Sequence, residues 1–187
     1  MFSWFRSGLP PYQTALAMLG AKTGQTVLFL GGAQPGVTAE IARVTGLNGR
    51  TAVAERDPLL CQRVEAAAAE AGTLVEFVET GPTGLPETTE VHDLVAITTN
   101  WLELGSAGRA DLVTGAFRLV RPGGRIIVVL ASGSKPLVGK PAKVPHTLAR
   151  EAESLLTASG SRAVRILAEV PGTTYVEGVR PRASAGT

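Results

Sequence analysis

Apolar positions along the chain fall into short unbroken runs, each stopped by glycine or small polar residues. Stretches of helical period separate the runs. QTVLFLGG (25–32) is the first and predicts a buried strand. TAEIARVTG (38–46) spaces Ile41, Ala42 and Val44 as a short helix would, and stops at Gly46. RTAVAE (50–55) predicts a second strand. DPLLCQRVEAAAAEAG follows, with Asp57 as N-cap and Pro58 at the first helical position, so a helix is expected over 58–71. TLVEFVE (73–79) and HDLVAITT (92–99) predict the third and fourth strands. GRADLVTGAFRLV (108–120) carries an apolar stripe at helical spacing. The turn RPGG (121–124) leads into RIIVVLA (125–131), apolar throughout as a central parallel strand should be. After a long loop comes the helix TLAREAESLLTASG (147–160). Two last strands flank Pro171 and Gly172 and form an antiparallel pair.

This alternation predicts an α/β fold, doubly wound, with a mostly parallel seven-stranded sheet and an antiparallel C-terminal hairpin. Ligands in such sheets sit at the carboxyl ends of the strands, where the strand order reverses. The residues just after each strand are therefore the candidates. Gly31, Gly32 and Gly36 follow the first strand, where glycines let backbone approach a ligand and a following helix aims free N–H groups at its anionic part. Glu55 ends the second strand, 24 positions after Gly31, close to the roughly 20 of dinucleotide folds. A carboxylate there can accept both hydroxyls of a ribose. Thr98, Thr99, Asn100 and Trp101 follow the fourth strand, small polar groups beside one aromatic wall. Each feature also has a plain alternative: a tight turn, a solvated charge, a strand end, a packed indole.

Composition narrows the setting. The 187 residues suffice for one domain with a full core, and 44% hydrophobic with 18% charged residues excludes a disordered chain. We divide the chain into a helical and aromatic N-terminal segment, 1–24, a candidate lid, and a domain over 25–187. A net charge of +2 does not argue for nucleic acid. A single cysteine, Cys61, excludes an intrachain disulfide and a cysteine-based metal cluster, and no metal is expected. No apolar run reaches the roughly 18–20 residues needed to span a bilayer, and prolines break the N-terminal apolar stretch, so a cytoplasmic protein is expected.

The order VLFLGG (27–32), AVAERDP (52–58), HDLVAITTNWLEL (92–104) and RPGGRIIVV (121–129) resembles the class I S-adenosylmethionine-dependent methyltransferases, from about Gln25 to Val179. In layout the chain is similar to the small-molecule enzymes of ubiquinone and menaquinone biosynthesis. The resemblance implies S-adenosylmethionine as cofactor, held by Gly31, Gly32, Gly36, Glu55, Arg56, Gly81, Pro82 and Thr98. It places a small, apolar or anionic acceptor against Thr99, Asn100, Trp101 and Trp4. The family's glycine motif falls on Gly31, Ala33 and Pro35. Its acidic position two places before the first glycine falls on Phe29, and its aspartate after the third strand on Gly81.

Methyl transfer from a sulfonium chiefly requires alignment, with a base only where the acceptor arrives protonated. His146, after the long loop, is the candidate base, with a helix-entry role as its alternative. His92, at the far end of its strand, reads as structural. Lys135, Lys140 and Lys143 read as solvated, or as attracting an anionic acceptor or a phospholipid surface. Phe2, Trp4 and Phe5 read as packing, as a homodimer contact or as a lid. TTNW (98–101) stands where nucleic-acid amino methyltransferases carry an Asn-Pro-Pro-Tyr-type motif, so no nucleic-acid acceptor is expected. Two other functions stay open. One is a catalytically degenerate binding or scaffold protein of the same fold. The other is a nicotinamide-dependent oxidoreductase, disfavoured because neither Tyr12 nor Tyr175 has a lysine four residues later.

Overall fold

The structure, a computed structural model, describes residues 11–31, 34–81, 84–87, 91–132 and 142–182. Among these residues seven strands form one sheet: β1 (Thr26–Leu30), β2 (Arg50–Ala54), β3 (Glu76–Phe77), β4 (His92–Ile97), β5 (Val120–Ala131), β6 (Arg162–Val170) and β7 (Thr173–Val179). Their order is β3-β2-β1-β4-β5-β7-β6. The first five run parallel, and β7 pairs antiparallel with both β5 and β6. The expected α/β sheet with its C-terminal hairpin is thus present. The chain winds outward from β1 to β3, then returns to lay β4 on the other side of β1. That reversal makes β1 and β4 the switch point.

Among the described residues, five α-helices cover the faces: α1 (Pro11–Leu19), α2 (Pro35–Thr45), α3 (Pro58–Glu70), α4 (Ser106–Leu119) and α5 (His146–Ala158). Side chains alternate along each strand, so the sheet has two apolar faces. Val27, Phe29, Val53 and Leu94 pack under α1, α2 and α3 through Leu19, Ile41 and Val64. Leu28, Leu30, Val95 and Ile126 pack under α4 and α5 through Val113, Ala116, Ala152 and Leu156. Arg125 on β5 anchors α1 by donating to the carbonyls of Leu19 and Gly20 at 2.7 and 3.1 Å.

Some boundaries differ from those expected. α2 starts at Pro35 instead of 38, because proline's fixed φ suits the first helical turn. β3 is two residues, not the expected run over 73–79, a short sheet edge whose Glu76 is paired with Arg50. RPGG is not a turn preceding a strand but lies inside β5. The sheet continues through it because Gly123 donates to the Arg180 carbonyl and Arg180 donates to that of Gly124. β4 ends at Ile97, releasing Thr98 and Thr99 from the strand.

His92, at the start of β4, is 2% exposed and its Nδ1 has no hydrogen-bond partner. Burial, reinforced by the Arg50 guanidinium and weakly opposed by Asp93, holds its pKa at about 4. The folded protein therefore keeps this imidazole neutral, whereas the unfolded chain takes up a proton near pH 6.5. The resulting stability is complete above that pH and is lost as pH falls toward 4. Urea unfolding is expected to show His92 costing on the order of 2 kcal/mol on going from pH 7.5 to pH 5. His92→Gln should remove that component, and a stability difference from wild type that does not change with pH would contradict it.

Candidate functional site

The end of β1 is locked to the end of β4. Gly31 has φ +73, a conformation L side chains rarely adopt, and its N–H donates to the Ala54 carbonyl at 2.8 Å. The N–H groups of Thr98 and Thr99 both donate to the Leu30 carbonyl at 3.0 Å. The Thr98 hydroxyl donates to the Gly31 carbonyl. A Cβ at Gly31 would lie 2.3 Å from Thr99 Oγ1. Glycine is thus demanded twice, by conformation and by the closeness of the β4 loop.

Gly36 does not lie in a free loop, as expected, but in the first turn of α2. The first helical bond found there runs from Thr38 N–H to the Gln34 carbonyl at 2.9 Å. The backbone donors of Gly36 and Val37 lie in the first turn of α2, at the positive end of the helix dipole. Pro35 contributes no donor. Tyr12 of α1 donates its hydroxyl to the Gly36 carbonyl at 3.0 Å, which holds α1 against this turn.

Glu55 leaves β2 just before the Asp57 cap of α3. One carboxylate oxygen, Oε1, accepts the N–H groups of Arg56 and Asp57 at 2.7 and 2.9 Å, which fixes the side chain. Arg56 reaches the end of β3, donating to Thr80 Oγ1 at 2.9 Å and to the Gly81 carbonyl. The Gly81 N–H donates to the Leu85 carbonyl at 2.9 Å, so it closes a local turn. The structure therefore brings Glu55, Arg56 and Gly81 together at adjacent strand ends, and Gly31 and Thr98 together at the switch point.

The residues expected around the acceptor divide. Thr99 sits against Gly31. Asn100 caps the 3-10 turn Trp101–Glu103 by accepting from Leu102 N–H at 3.3 Å. Trp101 is not an exposed wall. It is 2% exposed within the core under α4, with the Arg109 guanidinium 5.8 Å from its ring centre. An aromatic residue four positions past a strand looks the same in sequence whether its ring turns to the pocket or to the core. His146 is exposed at the first position of α5. Lys143 is exposed as well. Gly32, Pro82, Trp4, Phe2, Phe5, Lys135 and Lys140 lie outside the described residues.

The sequence reading missed a slot of about 90 Å³ between α1 and the strand ends. Ala15 and Leu19 of α1 form one wall, and Phe29, Val129 and Tyr175 of the sheet form the other. Thr98 lines it too, so the slot adjoins the switch point. Alternation along β5 and β7 was the available signal: Val129 and Tyr175 are partners in register.

This strand order, with its reversed seventh strand, and a glycine turn and carboxylate at the ends of β1 and β2 define the Rossmann-like fold of the class I methyltransferases. It is not the arrangement of a nicotinamide oxidoreductase. Residues 13–143 match the ubiE/COQ5 methyltransferase family, and the chain belongs to that family. It is 27% identical over 157 residues to the ubiquinone/menaquinone biosynthesis C-methyltransferase UbiE of Enterobacter sp. (strain 638), a match covering 80% of this chain and 60% of that one. The UbiE of Salmonella arizonae gives the same identity and coverage. The chain thus spans little more than half the length of these relatives. Among solved structures, a SAM-dependent methyltransferase from Aquifex aeolicus superposes with a TM-score of 0.66 at 18% identity, covering 90% of this chain and 89% of that one. A methyltransferase from Pyrococcus furiosus gives 0.67 at 15%, covering 97% and 88%. These two establish the fold.

Proposed function

We propose that the protein transfers a methyl group from S-adenosylmethionine to a small apolar or anionic acceptor. The observation that carries this reading is the junction of β1 and β4, where Gly31 is held against Thr98 and Thr99 one strand away from Glu55. The residues suit the cofactor. A Cβ at Gly31 would fill the closest approach of the two loops. Glu55 has one oxygen committed to backbone, which leaves Oε2 for ribose hydroxyls. The N–H groups of the first turn of α2 suit a carboxylate.

S-adenosylmethionine, when bound, supplies an electrophilic methyl group on a positively charged sulfur. The chain's task is then to align the acceptor and exclude water, which supplies about 7–11 kcal/mol in well-oriented cases. Glu55 and the glycine turn hold, Thr98 and Thr99 border the reacting end, and Arg56 with Gly81 closes the side toward β3. The acceptor's electron pair forms the new bond to the methyl carbon as the carbon–sulfur bond breaks. Where the acceptor arrives protonated, we assign the proton to His146, since His92 is buried. Lys143 is the described member of the lysine set we propose for an anionic acceptor or a phospholipid surface.

The test is formation of S-adenosylhomocysteine from S-adenosylmethionine in the presence of a panel of neutral phenols and aromatic carboxylates. Turnover with at least one of them is expected. Tight cofactor binding with no turnover on any class would favour the binding-protein reading, for which the apolar Phe29 at the family's acidic position speaks.

A further inference from the structure

We propose that Tyr12 is a positioning residue for the cofactor: from α1 it fixes the turn between β1 and α2, and it strengthens an N–H donor that this turn offers to the carboxylate of S-adenosylmethionine. The inference rests on the methyltransferase reading and adds to it a residue from outside the strand ends. The turn lacks local restraint. Helix starts are ordinarily held by a side-chain oxygen at the cap, but Gln34, which stands there in α2, makes no side-chain cap bond. Pro35 has no N–H to give, and with Ala33 it stands where the family's glycine motif falls. The hold comes instead from 24 positions away, where the Tyr12 hydroxyl donates to the Gly36 carbonyl at 3.0 Å. The ring lies close over Gly36, since a Cβ there would stand 3.4 Å from Tyr12 Cε2.

The bond bears on the donors because one peptide unit carries both groups. The Gly36 carbonyl carbon is joined to the Val37 nitrogen, so a hydrogen bond received by that carbonyl polarises the Val37 N–H. This N–H lies in the first turn of α2, at the positive end of the helix dipole. Tyr12 can hold the turn only if α1 is itself fixed, and α1 is anchored at its other end. Arg125 donates there to the carbonyls of Leu19 and Gly20. Arg125 is fixed in turn by Glu177, which is 3% exposed. Arg125 donates to its Oε1 at 3.1 Å and Arg165 to its Oε2 at 3.0 Å. Between the two anchors Ala15 and Leu19 pack on the sheet. Burial and the Glu40 carboxylate raise the Tyr12 pKa against the Arg43 guanidinium, so the phenol stays a donor at neutral pH.

The test compares S-adenosylhomocysteine with methylthioadenosine, which shares the nucleoside and the thioether but lacks the amino-acid end. Both are titrated calorimetrically into the wild type, Tyr12→Phe and Glu55→Ala. The wild type is expected to bind S-adenosylhomocysteine at least about tenfold more tightly than methylthioadenosine. Tyr12→Phe should weaken S-adenosylhomocysteine about three- to tenfold and leave methylthioadenosine within about twofold. Its melting temperature should fall by no more than about 2–4 °C, since Tyr12 is 42% exposed and one such bond contributes little to folding. Glu55→Ala should weaken both ligands alike, because both carry the ribose. A purely structural role for Tyr12 would weaken both ligands alike in Tyr12→Phe. That result, undiminished S-adenosylhomocysteine binding in Tyr12→Phe, or equal affinity of the wild type for the two ligands would overturn the inference. Failure of the wild type to bind either ligand would instead overturn the methyltransferase reading.

Discussion

Gly31→Ala is expected to destabilise the protein by about 3–5 kcal/mol and to abolish cofactor binding. A non-glycine residue at φ +73 costs roughly 1–2 kcal/mol by itself. The new methyl group would stand 2.3 Å from Thr99 Oγ1 and 3.1 Å from its Cα. The second contact is with backbone, so no rotation of the threonine relieves it. Overpacking of this kind costs about 1–3 kcal/mol. Moving Thr99 away also strains the bonds that its N–H and hydroxyl donate to the Leu30 carbonyl, each worth about 1 kcal/mol. Urea denaturation measures the effect. A variant within 1 kcal/mol of wild type would mean that the two loops are not held as described.

The second large effect is expected at Phe29. Phe29→Asp reinstates the acid that related methyltransferases carry before their first glycine, yet it should harm this protein. Phe29 is 1% exposed and packs with Leu19 of α1 and Ile41 of α2. Deleting a buried aromatic side chain costs about 3–5 kcal/mol, and a buried carboxylate without a partner adds a desolvation penalty. A loss of at least about 4 kcal/mol is expected, enough to unfold many domains of this size. Phe29→Leu, which keeps the wall apolar, should cost no more than about 2 kcal/mol. A stable Phe29→Asp protein with tighter S-adenosylmethionine binding would show that this position still serves the cofactor and that α1 yields to it.

The fold was legible because its signals are local. Val27–Leu30 and Ile126–Val129 are unbroken apolar runs, and Asp57-Pro58 marks a helix start without tertiary context. Boundaries went astray where tertiary bonds overrode local signs. RPGG reads as a turn, but pairing with Arg180 draws it into β5. Gly36 reads as loop, but Pro35 starts the helix one residue before it. The site was legible only to the level of strand ends. Sequence order put Gly31, Glu55 and Thr98 at those ends, since a parallel sheet aligns them. It could not report that the Trp101 ring turns into the core, or that Tyr12 reaches Gly36 across 24 positions. Nor could it show Tyr175 joining Ala15 and Phe29 in one slot, because those contacts depend on where α1 lies on the sheet.

The central claim is that Gly31 and Glu55 still hold S-adenosylmethionine although Phe29, Ala33 and Pro35 replace the usual residues. Calorimetric titration of S-adenosylmethionine into the wild type and Glu55→Ala tests it most directly, with circular-dichroism melting to confirm that both are folded. The account predicts saturable one-to-one binding by the wild type and affinity about ten- to hundredfold weaker in Glu55→Ala, the loss of charged hydrogen bonds to two hydroxyls. No binding by the wild type at millimolar ligand, or undiminished binding by folded Glu55→Ala, would contradict it.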